Sequence, residues 1–167
     1  MSSVNLIEIL GNLSQSLIPV ESLITGFGYV LGIVLVVSGL VELSKMSTHS
    51  HRRASVPLAA IAGGVVLIYL PSSLNVLTTT IFGTSSVIQY TQYNPYDIYS
   101  SMKVLLQAAG LLWFVRGTVL MVHAAEPGEQ HGLKGFLFVI AGVISVNIEI
   151  TIYTLNAIFQ YLISFTL

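Results

Sequence analysis

Gly32-Ile33-Val34-Leu35-Val36-Val37-Ser38-Gly39 and Gly110-Leu111-Leu112-Trp113-Phe114-Val115-Arg116-Gly117 share one plan: a glycine at each end of an apolar stretch, then a polar loop. The first runs into Glu42 to Arg53, the second into His123 to Lys134. After each loop comes the same triplet, Ile61-Ala62-Gly63 and Ile140-Ala141-Gly142, and further on Leu74-Asn75-Val76-Leu77 is answered by Leu155-Asn156-Ala157-Ile158. The spacing drifts from 78 to 79 to 81 residues. Such self-similarity predicts a duplicated unit. Here the unit is a helical hairpin of two membrane spans.

Composition decides the class. Of 167 residues, 54% are apolar and 8% charged, against about 25% charged in an ordinary globular domain. Apolar stretches of about 20 residues between short polar segments identify an integral membrane protein, because a helix of that length crosses roughly 30 Å of hydrocarbon. A net charge of −1 gives no nucleic-acid surface, and the absence of cysteine removes disulfides, thiolate metal sites and a cysteine nucleophile. The expected fold is all-α, with four transmembrane helices arranged as two repeated hairpins after an N-terminal amphipathic helix.

The amphipathic helix is placed at residues 1–20, where Leu6, Leu10, Leu13 and Leu17 recur at helical spacing against Asn5, Asn12, Ser14 and Gln15. That segment carries Glu8 and no Lys or Arg, unlike a cleaved secretory signal. The first hairpin is placed at residues 21–82 and the second at 102–167, with a Tyr-rich loop at 83–101 between them. Within the hairpins the spans cover residues 22–41, then from Pro57 to Leu70 with a kink at Pro71, then 102–122, then 133–167. Lys45, Arg52 and Arg53 in the first loop and Lys134 in the third predict a cytoplasmic side for both, so both termini face the periplasm. Tyr90, Tyr93, Tyr96 and Tyr99 around Asn94-Pro95 suit the opposite interface. Two hairpins with one orientation imply a pseudo-twofold axis along the membrane normal.

Few residues suggest chemistry. Glu149 is the one acid deep in an expected span, and helical spacing joins it to Gly142, Ser145, Tyr153, Asn156 and Gln160 in a polar stripe. Lipid does not tolerate such a stripe, so it faces protein, within or between subunits, or else a water-filled pore or a proton path. Arg116 has Glu42 as its expected intramembrane partner. Gly28 and Gly32, with Gly39, and the pair Ala60 and Gly64 mark places for close helix packing. His49, His51, His123 and His131 fall in loops, without the i, i+4 spacing of a helical zinc site. With no GxSxG, P-loop or dinucleotide turn, neither catalysis nor a cofactor is expected.

The run from Gly26 to Leu40, with Val56-Pro57-Leu58 and Leu67-Ile68-Tyr69-Leu70-Pro71-Ser72-Ser73-Leu74, resembles the IcmC/DotE and DotV family of Dot/Icm (type IVB) secretion systems. Trp113-Phe114-Val115-Arg116-Gly117 and Val143-Ile144-Ser145-Val146-Asn147-Ile148 extend the resemblance over most of the chain beyond residue 20, and it is similar too to the small TraQ-like proteins of related conjugation systems. The resemblance implies an inner-membrane subunit of an effector-translocating machine, with other secretion subunits and the lipid bilayer as partners, a possible homo-oligomer, and no catalytic residues. Rival classes are a pilin-like subunit and a small oligomeric channel or proton-coupled protein in which Glu149 and Arg116 act.

Overall fold

The computed structural model describes residues 6–46, 54–83 and 98–166, all of its regular elements being helices. They are α1 (Leu6–Met46), α2 (Ser55–Ile68), α3 (Leu70–Phe82), α4 (Ile98–His123), α5 (Gly132–Val146) and α6 (Ile148–Thr166). Three are long and apolar enough to cross a membrane: α1 over Gly11–Met46, α4, and α6 over Ile148–Phe165. Taken together, α2 and α3 make a fourth, broken candidate, bent by 94°. The tyrosines at 90, 93 and 96 and the basic and histidine residues at 49–53 lie outside the described residues.

Among the described residues no separate amphipathic helix precedes the first span. Residues 6–20 are the first turns of α1, which continues through Pro19. The reason is its docking face: Gly11, Ser14, Ile24, Gly28, Gly32 and Gly39 are buried at helical intervals, so one stripe packs along its whole length. Buried Ser14 donates to Ser101 at 3.2 Å and fixes the early turns of α1 on α4.

The two hairpins are α1 with α2 and α4 with α5. In lipid the hydrophobic effect does not press helices together, so close backbone approach and packing must do it. A Cβ on Gly32 would lie 2.7 Å from the Gly64 carbonyl oxygen, and one on Gly39 2.8 Å from that of Pro57. The pairing of rising numbers in α1 with falling numbers in α2 makes the helices antiparallel. In the second hairpin a Cβ on Gly110 would lie 2.9 Å from the Gly142 oxygen, and one on Gly117 2.8 Å from that of Gly135. Every residue in these contacts is matched by the one 78 positions later. The register therefore does not drift: Gly142 answers Gly64, and the Ile-Ala-Gly triplets and the Leu-Asn pairs are coincidences of an apolar sequence.

The breaks obey the same register. Tyr69 separates α2 from α3 at φ −99° and ψ 37°, and Asn147 separates α5 from α6 at φ −104° and ψ 41°. Each backbone N–H bonds four residues back, to Val65 and to Val143. Past each break a hydroxyl reaches back seven residues to a carbonyl freed from the helix ladder: Ser73 to Val66 at 3.0 Å, and Thr151 to Ile144 at 3.1 Å, the latter shared with the Asn147 oxygen at 2.9 Å. The expected kink near Pro71 is thus a full break at Tyr69, and the expected single fourth span is two helices divided at Asn147.

The hairpins lie side by side without a twofold. Ser14 meets Ser101, and Gly28 faces Val115, so α1 and α4 run parallel, 87 residues apart at both points. Since the repeat itself is 78 residues, the second hairpin is displaced along the first by nine residues, about 13 Å. A twofold would also make each contact twice. Thr78 bonds Asn147, whereas the mirrored pair, Tyr69 and Asn156, is exposed. Between the hairpins Leu67, Leu70 and Leu74 pack on Leu111, Phe114, Val143 and Val146, all nearly inaccessible.

Candidate assembly interface

The polar groups collect at the second break. Asn147, only 8% exposed, donates from Nδ2 to Thr78 Oγ1 at 2.8 Å and to the Val143 oxygen at 2.9 Å. Around it α4 supplies a clamp. Ser145 Oγ donates to the Leu106 oxygen at 2.7 Å, Gln107 Nε2 to the Val146 oxygen at 3.3 Å, and Lys103 Nζ pairs with Glu149 Oε1 at 2.7 Å. Three α4 residues within about one helical turn, Lys103, Leu106 and Gln107, thus hold both sides of the break as α4 runs past it.

This geometry divides the expected polar stripe. Gly142 is spent on α4, where a Cβ would lie 2.8 Å from both the Gly110 oxygen and the Phe114 nitrogen. Ser145 and Glu149 turn to α4 as well. Beyond the break Tyr153, Asn156 and Gln160 continue on α6, their side chains exposed and without a hydrogen-bond partner among the described residues. The break at Asn147 is the physical reason: it interrupts the helical phase that the stripe assumed. Glu149 is no isolated intramembrane acid but one half of an ion pair, its side chain still 70% exposed.

Arg116 and Glu42 do not meet. The 87-residue register of α1 and α4 sets Arg116 level with Tyr29, and Glu42 lies thirteen residues further along α1, about 20 Å. Arg116 lies instead over the Phe138 ring, 5.4 Å from its centroid, and Phe138 meets Trp113 edge-on at 6.4 Å. Of the expected packing positions, Gly32, Gly39 and Gly64 form the first seam, Gly28 abuts Leu70 and Val115, and Ala60 is buried. His123 contacts the Val119 oxygen of its own helix at 2.9 Å, and His131 pairs with Glu129.

Compared with known families, curated proteins and solved structures, the chain matches none.

Several polar residues that matter to this arrangement were not singled out by local patterns: Asn147, Thr78, Ser101, Lys103, Gln107; Ser14, expected on the polar face of an amphipathic helix, is instead buried against Ser101. A uniform 78-residue register laid over the chain would have found the first, since it sets Asn147 opposite Tyr69, two residues before Pro71. Glu21, the residue just before the span expected at 22–41, sits part-buried within the continuous helix α1, with Oε1 lacking a partner among the described residues.

Proposed function

We propose that the chain is a structural subunit of a bacterial inner-membrane assembly, of the type IVB (Dot/Icm) class that translocates effector proteins, and that it is not an enzyme. One observation carries the assembly part. α6 is apolar enough to cross a membrane yet exposes Tyr153, Asn156 and Gln160 on its surface. An unsatisfied polar group in hydrocarbon costs several kcal/mol. A protein surface that covers α6 removes that cost, and a chain whose polar side chains at the second break bind across helices is suited to scaffolding. The secretion class rests on the sequence resemblance of the Gly26 to Leu74 and Trp113 to Ile148 stretches.

In this reading α1, the broken pair α2 and α3, α4, and α5 with α6 give four spans. Both termini are periplasmic, and the loops at 44–56 and 123–133 are cytoplasmic. A reporter fused after Leu167 should be active only outside the cytoplasm; activity inside rejects the orientation. Deleting the chain should abolish effector transfer while its neighbours remain in the membrane, and unchanged transfer rejects the function. Glu149 separates scaffold from proton path. As a structural ion-pair member, Glu149→Gln should retain more co-purifying partners and more transfer than Glu149→Leu. A proton path makes both equally damaging with assembly intact.

A further inference from the structure

The contact between the two hairpins is heterologous. Hairpin one presents the side formed by α1, α2 and α3, with Gly28, Gly63, Leu74 and Thr78; hairpin two presents its α4–α5 side, with Val115, Val143 and Asn147. Because the hairpins are copies, each also owns the surface that the other used. Hairpin one holds the unused equivalent of the α4–α5 side on α1 and α2, where Val37 and Val65 are 54% and 44% exposed against 8% and 0% for Val115 and Val143. Hairpin two holds the unused equivalent of that side on α4, α5 and α6, where Leu106 is 37% exposed and Ile152 52%, against 2% for Leu74. A heterologous contact that does not close leaves one surface of each kind at opposite ends of the molecule.

We propose that these two surfaces bind one another in a second copy, the α5–α6 side of one molecule against the α1–α2 side of the next, so that copies join head to tail with the geometry already present inside each chain. Lipid alone would suit Val37 and Val65. It would not suit Asn156, which stands where Thr78 accepts the Asn147 hydrogen bond, and opposite it in the next copy stands Tyr69, in the place of Asn147. Both sides therefore offer a hydrogen-bonding group at the point where the internal interface has one.

The axial displacement bears on whether such a row stays in a bilayer. A step of about 13 Å along the helices between neighbours about 9 Å apart is level only if the helices lean by roughly 55°. α1 is long enough to permit that lean: its candidate span Gly11–Met46, 36 residues that include Glu21, Glu42 and Lys45, is about 54 Å long and would fit about 30 Å of hydrocarbon even at that angle. This exceeds the 0–40° usual for transmembrane helices. It is a lean that packing between copies has to impose. The inference does not depend on the secretion reading.

The chain has no cysteine, so single cysteines report the contact. Tyr69→Cys with one tag and Asn156→Cys with another, co-expressed and oxidised in native membranes, are expected to give a mixed-tag disulfide about tenfold above either same-tag product. Val37→Cys with Leu106→Cys, equivalent to the internal Val115 and Gly28 contact, should do the same. The particle extracted in native lipid discs should have a protein mass that is a multiple, above one, of 18.0 kDa. A monomeric particle overturns the proposal. So do same-tag products equal to the mixed ones, which mean a twofold dimer, or Asn156→Cys captured by a different protein and not by Tyr69→Cys. Loss of effector transfer without any change in these products would bear on the secretion reading alone.

Discussion

The two helix breaks share their backbone and differ in what supports them. At Tyr69 the chain follows with Pro71, the second residue of α3, which has no N–H to give and cannot continue α2. The neighbours are apolar: a Cβ on Gly28 would meet Leu70 at 3.1 Å. At Asn147 there is no proline, and the same turn is held by hydrogen bonds from Asn147, Ser145 and Gln107 and by the Lys103 and Glu149 pair. The duplicated unit has therefore kept a shape and exchanged its cause. The exchange follows position: Asn147 is buried against Thr78 of the other hairpin, whereas Tyr69 at the matching place is exposed, and a buried polar group needs a partner.

The largest effect that tests this equivalence lies in the glycine seams. Gly64→Val and Gly142→Val each drive a side chain into backbone atoms, at 2.6 Å from the Gly32 oxygen and 2.8 Å from the Gly110 oxygen. Overpacking costs about 1–3 kcal/mol, occasionally more, and rigid backbone on the far side puts these at the upper end. Both variants should lose protease-resistant, helical protein to a similar extent on thermal unfolding in detergent. If one hairpin tolerates valine, the seams are not equivalent.

Next comes the asymmetry. Asn147→Leu strips Thr78 and Val143 of a partner and should cost about 1–3 kcal/mol. In monomers isolated in detergent Tyr69→Leu, at the matching exposed site, should change unfolding by under about 0.5 kcal/mol. Equal losses would mean that Tyr69 is covered within the chain. Smaller again, Ser73→Ala and Thr151→Val each remove one hydroxyl from a freed carbonyl and should cost a similar amount, about 0.6 kcal/mol. A loss confined to one break would show the two to be held by different bonds. Of similar size is Phe138→Leu, which takes the ring from under Arg116 and should cost about 0.5–1 kcal/mol; Ala60→Ser, at the corresponding place in the first hairpin, should register less in the same assay.

Much of the fold was legible. The glycines at 32, 39, 110 and 117 predicted the duplication because helix backbones in a membrane meet only where side chains are small, and Pro71 predicted an interruption because its chemistry is local. The register was not legible from matched words. Ile61-Ala62-Gly63 and Ile140-Ala141-Gly142 look alike, yet Gly63 faces Thr118 and Val122 on α4 whereas Gly142 meets Gly110 and Phe114. A shift of one residue turns a helix position by 100°, to another face. Of the candidate site, Ser145 and Glu149 were found through their polarity. Their partners Leu106 and Lys103 were not, because contacts between helices depend on a register that no local pattern encodes.

By itself the sequence determined that this is an apolar, all-helical, duplicated chain, since length of apolar run, glycine spacing and proline act through nearest neighbours along the helix. Only the tertiary structure decided how the copies stand to one another: parallel, displaced by nine residues, and without a twofold. Ser14 on Ser101 and Asn147 on Thr78 fix that arrangement, and each is a single bond between residues 87 and 69 positions apart. The same displacement separates Arg116 from Glu42 and leaves Asn156 uncovered. Two hairpins of almost the same shape can pack in several relative positions at similar cost in apolar contact, and the few polar groups that must be satisfied select among them.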